Sequence, residues 1–458
     1  MVVHPFDFQF NQDQFSTPEL RAIFDEEAVI QRWLDFEAAL ATAQGELGVI
    51  PKEAAKEIAS KARLDALDPS LIKDGYRKSR NSLIPVIKAL KSACKGDAGQ
   101  FVHYGATTQD VIDTAQVIGL RKALSIIYRD LFSIEDNCLG LIERYGSVPM
   151  VGRTHGQQAL PIIFGLKVAT WLKENRRHLN RVQEVYDRLD KGQFGGAAGT
   201  LAALGSKGPE VARRTMALLG LKYDALAWHT SRDVVAEVAS VLSMVTATLS
   251  KIANEVFQLQ RPEIGELREP PPQGASSSTM PQKSNPVICQ RVMAIFKHVR
   301  MLAPVVVESM CHEHERDPRC LWAEWMAMPQ LCILTGAAAS YMKDVLGHLD
   351  VRESQMRGNL ASAKDFITSE WLMFRLADKM GKMRAMEKLR GLLARVSREN
   401  RSLKEMLLED EDLGGLLSEE TLDVLERPEL YIGQAEKIVQ DAVKDVLEAR
   451  NLGPKGLS

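Results

Sequence analysis

The densest run of reactive side chains in this sequence is Ser276-Ser277-Ser278-Thr279-Met280-Pro281-Gln282-Lys283-Ser284-Asn285-Pro286. It puts hydroxyls, an amine and an amide between prolines, after Pro270-Pro271-Pro272-Gln273-Gly274 and before a helical pattern. A polar loop pinned by prolines presents several donors to a small anion, and long loops of this kind often act as lids; an ordinary solvated connection has the same composition. Two other groupings invite chemistry and carry less of it. Cys311-His312-Glu313-His314, with Cys320 beyond, holds metal-ligand residue types at a spacing that fits no standard zinc pattern, so no metal is expected. Gly192-Gln193-Phe194-Gly195-Gly196-Ala197-Ala198-Gly199-Thr200 is glycine-rich, but no strand pattern precedes it, so it reads as a sharp turn or close helix approach rather than a dinucleotide loop.

The elements that must position these residues are helices. Apolar residues recur at helical spacing and alternating strand patterns are rare. Residues 18–47 read as one amphipathic helix, with short helices following to about Cys94. Residues 111–146, 162–191 and 230–260 read as long helices, the last opened by a capping box of Thr230 and Asp233. Its apolar set, from Val234 to Phe257, covers more than one face. Such a helix must be surrounded by others, so a central bundle assembled between chains is expected. From about residue 352 the helices become shorter and more charged, as in a separate domain.

Composition narrows the function classes. The chain has 458 residues, enough for two or three domains, and its 45% hydrophobic and 26% charged residues are ordinary for a globular protein. A formal net charge of -2 gives no reason to expect nucleic acid or an anionic membrane as partner. No uninterrupted apolar run is long enough to span a bilayer, the N-terminus lacks a secretory pattern, and six scattered cysteines suit a reducing cytoplasm.

The loop at 276–286 resembles the signature sequence of the fumarase/aspartase superfamily, G-S-S-x-M-P-x-K-x-N-P, and differs from it only at Ser276. Gln100-Phe101-Val102-His103-Tyr104-Gly105-Ala106-Thr107-Thr108-Gln109-Asp110 resembles the first shared region of that family, and Gly152-Arg153-Thr154-His155-Gly156-Gln157-Gln158-Ala159 the second. The residues around Gln193–Gly205, Trp228-His229-Thr230 and His314-Glu315-Arg316 are similar to 3-carboxy-cis,cis-muconate cycloisomerases, whereas Arg153-Thr154-His155-Gly156 has the adenylosuccinate lyase form. The nucleotide contacts of adenylosuccinate lyase are missing: Gln14-Phe15 replaces its Arg-Tyr pair, Asn81 its early His, and Leu321 and Trp325 its phosphate-holding Ser and Arg.

The resemblance implies an all-α enzyme with three helical domains, here 1–108, 109–351 and 352–458. It implies a homotetramer on a twenty-helix core, each active site drawing on three subunits. It also implies a base at Ser277, an acid at His155 and Lys283 as the third catalytic residue. His103, Thr107, Thr108, Asn285, Ser278, Met280, Arg316 and Gln157 fall at substrate-binding positions, with Arg21 and Arg232 as weaker candidates. No cofactor is needed. The substrate expected is a small dicarboxylate: an N-substituted succinate split by anti β-elimination of a carbon–nitrogen or related bond, releasing fumarate. The alternatives are carboxymuconate cycloisomerisation, adenylosuccinate cleavage, and a non-catalytic structural descendant.

Overall fold

The computed structural model describes residues 5, 8, 10–271, 280, 283–452 and 457. Its helices begin where local chemistry lets them. Thr17 accepts from Leu20 N and Pro18 occupies the first turn of α1 (Pro18–Phe24). The single helix expected over 18–47 is two helices. Asp25 leaves the helical region at ψ 143° and its carboxylate caps α2 (Glu26–Glu46) through Glu27 N at 2.9 Å. An aspartate inside an apolar pattern thus acts as a start signal, and the chain turns there. Helices α3 (Lys52–Lys61), α4 (Pro69–Ser79) and α5 (Ile84–Ala93) complete the N-terminal region.

Six helices follow, five of them long: α6 (Thr108–Tyr145), α7 (Phe164–Arg188), the shorter α8 (Gly208–Leu218), α9 (Asp233–Leu259), α10 (Val287–Glu308) and α11 (Pro318–Gly347). At 38 residues, α6 is about 57 Å long. Helix α9 packs against α7, α10 and α11, and α6 against α7 and α11. Its start differs from the expected one: Arg232, not Thr230, is the N-cap residue, and no side chain caps it. By length and composition α9 would pass for a membrane span, a test that a buried core helix also passes. Its Val238, Leu242, Val245, Leu249, Ile252 and Val256 are instead buried among neighbouring helices.

Between α6 and α7 the chain makes an antiparallel hairpin that the helical reading missed, β1 (Pro149–Thr154) and β2 (Gln157–Ile163). His155 (φ 53°) and Gly156 (φ 77°) form its two-residue tip, both in the left-handed region that a type I′ turn requires. Beyond residue 352 come α12 (Glu353–Ser362), α13 (Lys364–Ile367), α14 (Ser369–Met380), α15 (Lys382–Glu399), α16 (Leu403–Glu409) and α17 (Glu419–Glu426). Leu372, Leu376, Leu389, Leu392, Leu403 and Leu425 form a core of their own there. The last helix, α18 (Ala435–Leu452), returns to pack on α7, and its Val446 joins the main core.

Candidate active site

Asp110, fully buried in the first turn of α6, organises the first shared region. Its Oδ2 accepts from Thr107 N and from Gly196 N, each at 3.0 Å; its Oδ1 accepts from Gly195 N at 2.9 Å and lies 2.8 Å from His229 Nε2. One carboxylate therefore clamps the start of α6, the glycine turn and the residues before α9. Gly195 permits this: a Cβ there would lie 2.6 Å from Ala227 Cβ and 3.2 Å from His229 Cε1. The glycine segment is the sharp turn that its composition implied.

Arg316 crosses this cluster. Its Nη1 donates to Thr107 Oγ1 at 2.8 Å and its Nη2 to the carbonyls of Ala197 at 2.7 Å and Gly196 at 3.2 Å. All three acceptors are neutral, and Arg316 pairs with no carboxylate among the described residues; its Nε is buried without a partner. Positioning comes from His314, at φ 56°, and from Asp317, which caps α11 through Arg319 N at 3.0 Å.

His103 sits at φ 63° in the turn before α6, with Nδ1 2.7 Å from Oε1 of buried Glu37 on α2. Burial pushes the imidazole pKa down, but the Glu37 charge and hydrogen bond outweigh it, so the pKa lies above the ordinary histidine value. His103 thus stays cationic to higher pH. Because its folded pKa is raised, its contribution to stability is complete below the unfolded value near 6.5 and is lost as pH rises through the folded one. In Glu37→Gln only the weaker attraction of Asp110 still opposes burial and the Lys91 charge, and the imidazole should titrate lower than in the wild type. A C2-proton NMR titration checks this; an unchanged midpoint would contradict it.

The other candidates lie elsewhere on the chain. His155 and Gln157 are exposed at the hairpin tip. The hairpin is braced by Arg153, whose two Nη atoms each donate to buried Glu266 at 2.8 Å, and by Asn359 on α12, 2.8 Å from the same carboxylate. Lys283, Asn285 and Met280 are exposed on the segment leading to α10. Ser277 and Ser278 lie outside the described residues. The structure thus brings Thr107, Thr108, His103 and Arg316 to one region, and sets the hairpin and the Lys283 segment apart from it.

Two nearby groups are committed within the chain. Arg232, a weaker substrate-binding candidate, is 1% exposed, with its donors taken by Asp113 at 2.9 and 3.1 Å and by Glu324 at 2.9 and 2.5 Å. The positive end of α10 is already neutralised by a carboxylate of the chain. Glu269, 2% exposed, accepts from Ile288 N at 2.9 Å and Cys289 N at 2.7 Å. Arg21 is half-buried and engaged with Asp13 at 2.7 Å and Ser16 Oγ at 2.6 Å, so its donors are partly spent. Sequence reading missed Glu37, Asp113, Glu269 and Glu324 as site-building groups, and gave Asp110 no role. Only Asp110 carried a local signal, since Thr107 and Asp110 have capping-box spacing.

A chain that gathers its donors this way has recognisable relatives. The model of a lyase family matches residues 12–300, and that of the adenylosuccinate lyase C-terminus matches 365–442. The N-acetyl-S-(2-succino)cysteine lyase of Dickeya dadantii is 39% identical over 445 residues, covering 97% of this chain and 98% of that protein. The enzyme of the same name from Enterococcus italicus is 44% identical over 386 residues, 84% of this chain and 85% of that protein. Among solved structures, the 3-carboxy-cis,cis-muconate lactonizing enzyme from Pseudomonas putida superposes with a TM-score of 0.89 at 35% identity, covering 95% of this chain and 98% of that one. The chain belongs to the fumarase/aspartase superfamily, in the branch that holds adenylosuccinate lyases and carboxymuconate cycloisomerases. It is a lyase-family enzyme with the mostly helical fold of that group.

Proposed function

We propose that this enzyme cleaves the carbon–sulfur bond of an S-succinylated thiol of the N-acetylcysteine type, releasing fumarate. The observation that carries the dicarboxylate part is Arg316, a cation held by neutral oxygens beside Thr107 and left to a carboxylate from outside the chain. The leaving group is taken from the substrate named for the two relatives of 39% and 44% identity.

The chemistry balances without a cofactor. A base removes a proton from the methylene carbon next to one carboxylate, whose oxygens take up the charge as a dianionic aci-carboxylate. The electron pair then forms the carbon–carbon double bond as sulfur leaves from the neighbouring carbon, on the opposite face. Ser277 is the base. A serine is far too weakly acidic in water, and each unit of pKa lowering needs about 1.36 kcal/mol of differential stabilisation. Lys283, loop amides and exclusion of water supply it on closure. His155 protonates or steadies the departing group. A thiol, with an ordinary pKa near 8.5, leaves more readily than an amine, so less is asked of that acid. Arg316, Thr107, Thr108, His103, Lys283 and Asn285 hold the two carboxylates.

The site is assembled from three subunits of a homotetramer. This accounts for an exposed His155 and an exposed Lys283, both set apart from Arg316 in one chain. It also accounts for Met301 at 69% and Met326 at 72% exposure on the packed pair α10 and α11. Cycloisomerisation of a carboxymuconate is the second reading, favoured by the close structural likeness to the lactonizing enzyme. His155, where those enzymes usually carry an apolar residue, weighs against it.

Incubation with N-acetyl-S-(2-succino)cysteine should yield fumarate and free thiol in equal amounts, read by absorbance and a thiol reagent. Adenylosuccinate should turn over far more slowly, because Leu321 and Trp325 stand where the phosphate contacts would be. Lactonisation of 3-carboxymuconate without fumarate release from the thioether would overturn the reading.

A further inference from the structure

A cavity of about 230 Å³ lies between α1, α2, α6 and α11. Deep in it is Arg32 of α2, only 7% exposed. Its Nε is buried without a partner, and the residue makes no ion pair or hydrogen bond among the described residues. Burial pushes its pKa down, and the nearest compensation is the through-space attraction of Asp35 on its own helix. Glu324 does not neutralise it: Arg232 and Gln116 Nε2 occupy that carboxylate. An unpaired buried cation is costly unless a ligand completes it.

Two further features show that the cavity is built around this charge. The guanidinium lies over Gly119 of α6, where an added Cβ would stand 3.4 Å from Nη2 and 3.6 Å from Cζ. Trp325 of α11, also lining the cavity, has a buried Nε1 with no acceptor among the described residues. Two donors therefore await acceptors between apolar walls that include Phe24, Trp33 and Met328.

The cavity also lies next to the reacting region. Thr108, Ile112, Ala115 and Gly119 follow one another at helical spacing on a single face of α6. Ile112, at the near end of the cavity, is one turn, about 6 Å along the axis, from Thr108. A substrate held by Thr107 and Arg316 can project its leaving group along this face.

We propose that the cavity takes the leaving group, with Arg32 binding a carboxylate on it and Trp325 Nε1 a second oxygen. This rests on the thioether reading and specifies it. The leaving group is an anionic, amino-acid-sized N-acyl compound. At about 230 Å³ the cavity falls below the roughly 300–1,000 Å³ of pockets that hold larger ligands, which disfavours a nucleotide. Arg32 is thus a specificity-determining residue, and Trp325 occupies by function as well as by position the place of a phosphate ligand.

The test compares the wild type with Arg32→Met, using N-acetylcysteine and its C-terminal amide. By calorimetry the wild type should bind the acid more tightly than the amide. Arg32→Met should weaken acid binding roughly 10- to 100-fold and abolish the distinction. With the thioether substrate, KM should rise by a similar factor while kcat changes little. The thermal midpoint should hold or rise, because an unpaired buried charge has been removed. Equal binding of acid and amide by the wild type, or undiminished acid binding by Arg32→Met, would overturn the assignment. Calorimetry keeps this test independent of the reaction: acid binding lost in Arg32→Met supports the subsite even if the thioether proves not to be cleaved.

Discussion

Ser277→Ala should lower kcat on the thioether about 10³–10⁴-fold, the upper part of the range for a well-placed acid–base group. The assembly should remain intact. The carbon-bound proton to be removed is acidified only by an adjacent carboxylate, so the base must be strong when needed and masked otherwise. A serine whose alkoxide forms only with Lys283 and substrate beside it would meet both demands. KM should change little, since the hydroxyl contributes to the transition state more than to the bound substrate. Single-turnover kinetics and light scattering measure the two halves of this result. A kcat within tenfold of the wild type, in an intact oligomer, would remove Ser277 from the role of base.

Arg232→Met should destabilise the protein by about 3–5 kcal/mol, the usual cost of stripping a buried charge of its partner. Arg232 is enclosed by Asp113 and Glu324, which lie far from it in sequence on α6 and α11. Without it, two carboxylates face each other in the core. Burial already holds the Asp113 pKa above its ordinary value against the attraction of Arg232. In the variant the folded-state pKa rises further, so the native state binds protons more readily than the unfolded one. Stability should therefore recover as pH falls, opposite to ordinary acid denaturation. Urea unfolding at several pH values reads both effects. A raised KM with unchanged stability would instead restore Arg232 as a substrate ligand.

The same residue shows where sequence stops being informative. The long helices were legible because their apolar residues repeat at the helical period over many turns. Arg232 was not, because its partners are brought to it only by packing of α6, α9 and α11, and its burial belongs with a helix start two residues later than the expected cap. Asp25 and Asp110 were legible in principle through capping geometry. The hairpin that presents His155 escaped notice because its strands have no clear alternation and its turn depends on two left-handed residues, one of them not glycine. Glu269 was hidden for a different reason: a proline-rich stretch separates it from the α10 amides that it caps. Candidate residues with neighbours in a motif could be named from the sequence, whereas those defined by distant partners, Glu37, Glu324 and Arg32 among them, required the fold.

The proposed reaction is tested most directly by running it backwards. Purified protein is given fumarate with an equimolar mixture of N-acetylcysteine and a panel of primary amines, and the products are read by mass spectrometry after subtracting the uncatalysed thiol addition. The account predicts a single enzyme-dependent adduct, the S-succinyl derivative of N-acetylcysteine. An adduct formed only with an amine, or none above background, would contradict carbon–sulfur elimination as the function of this enzyme.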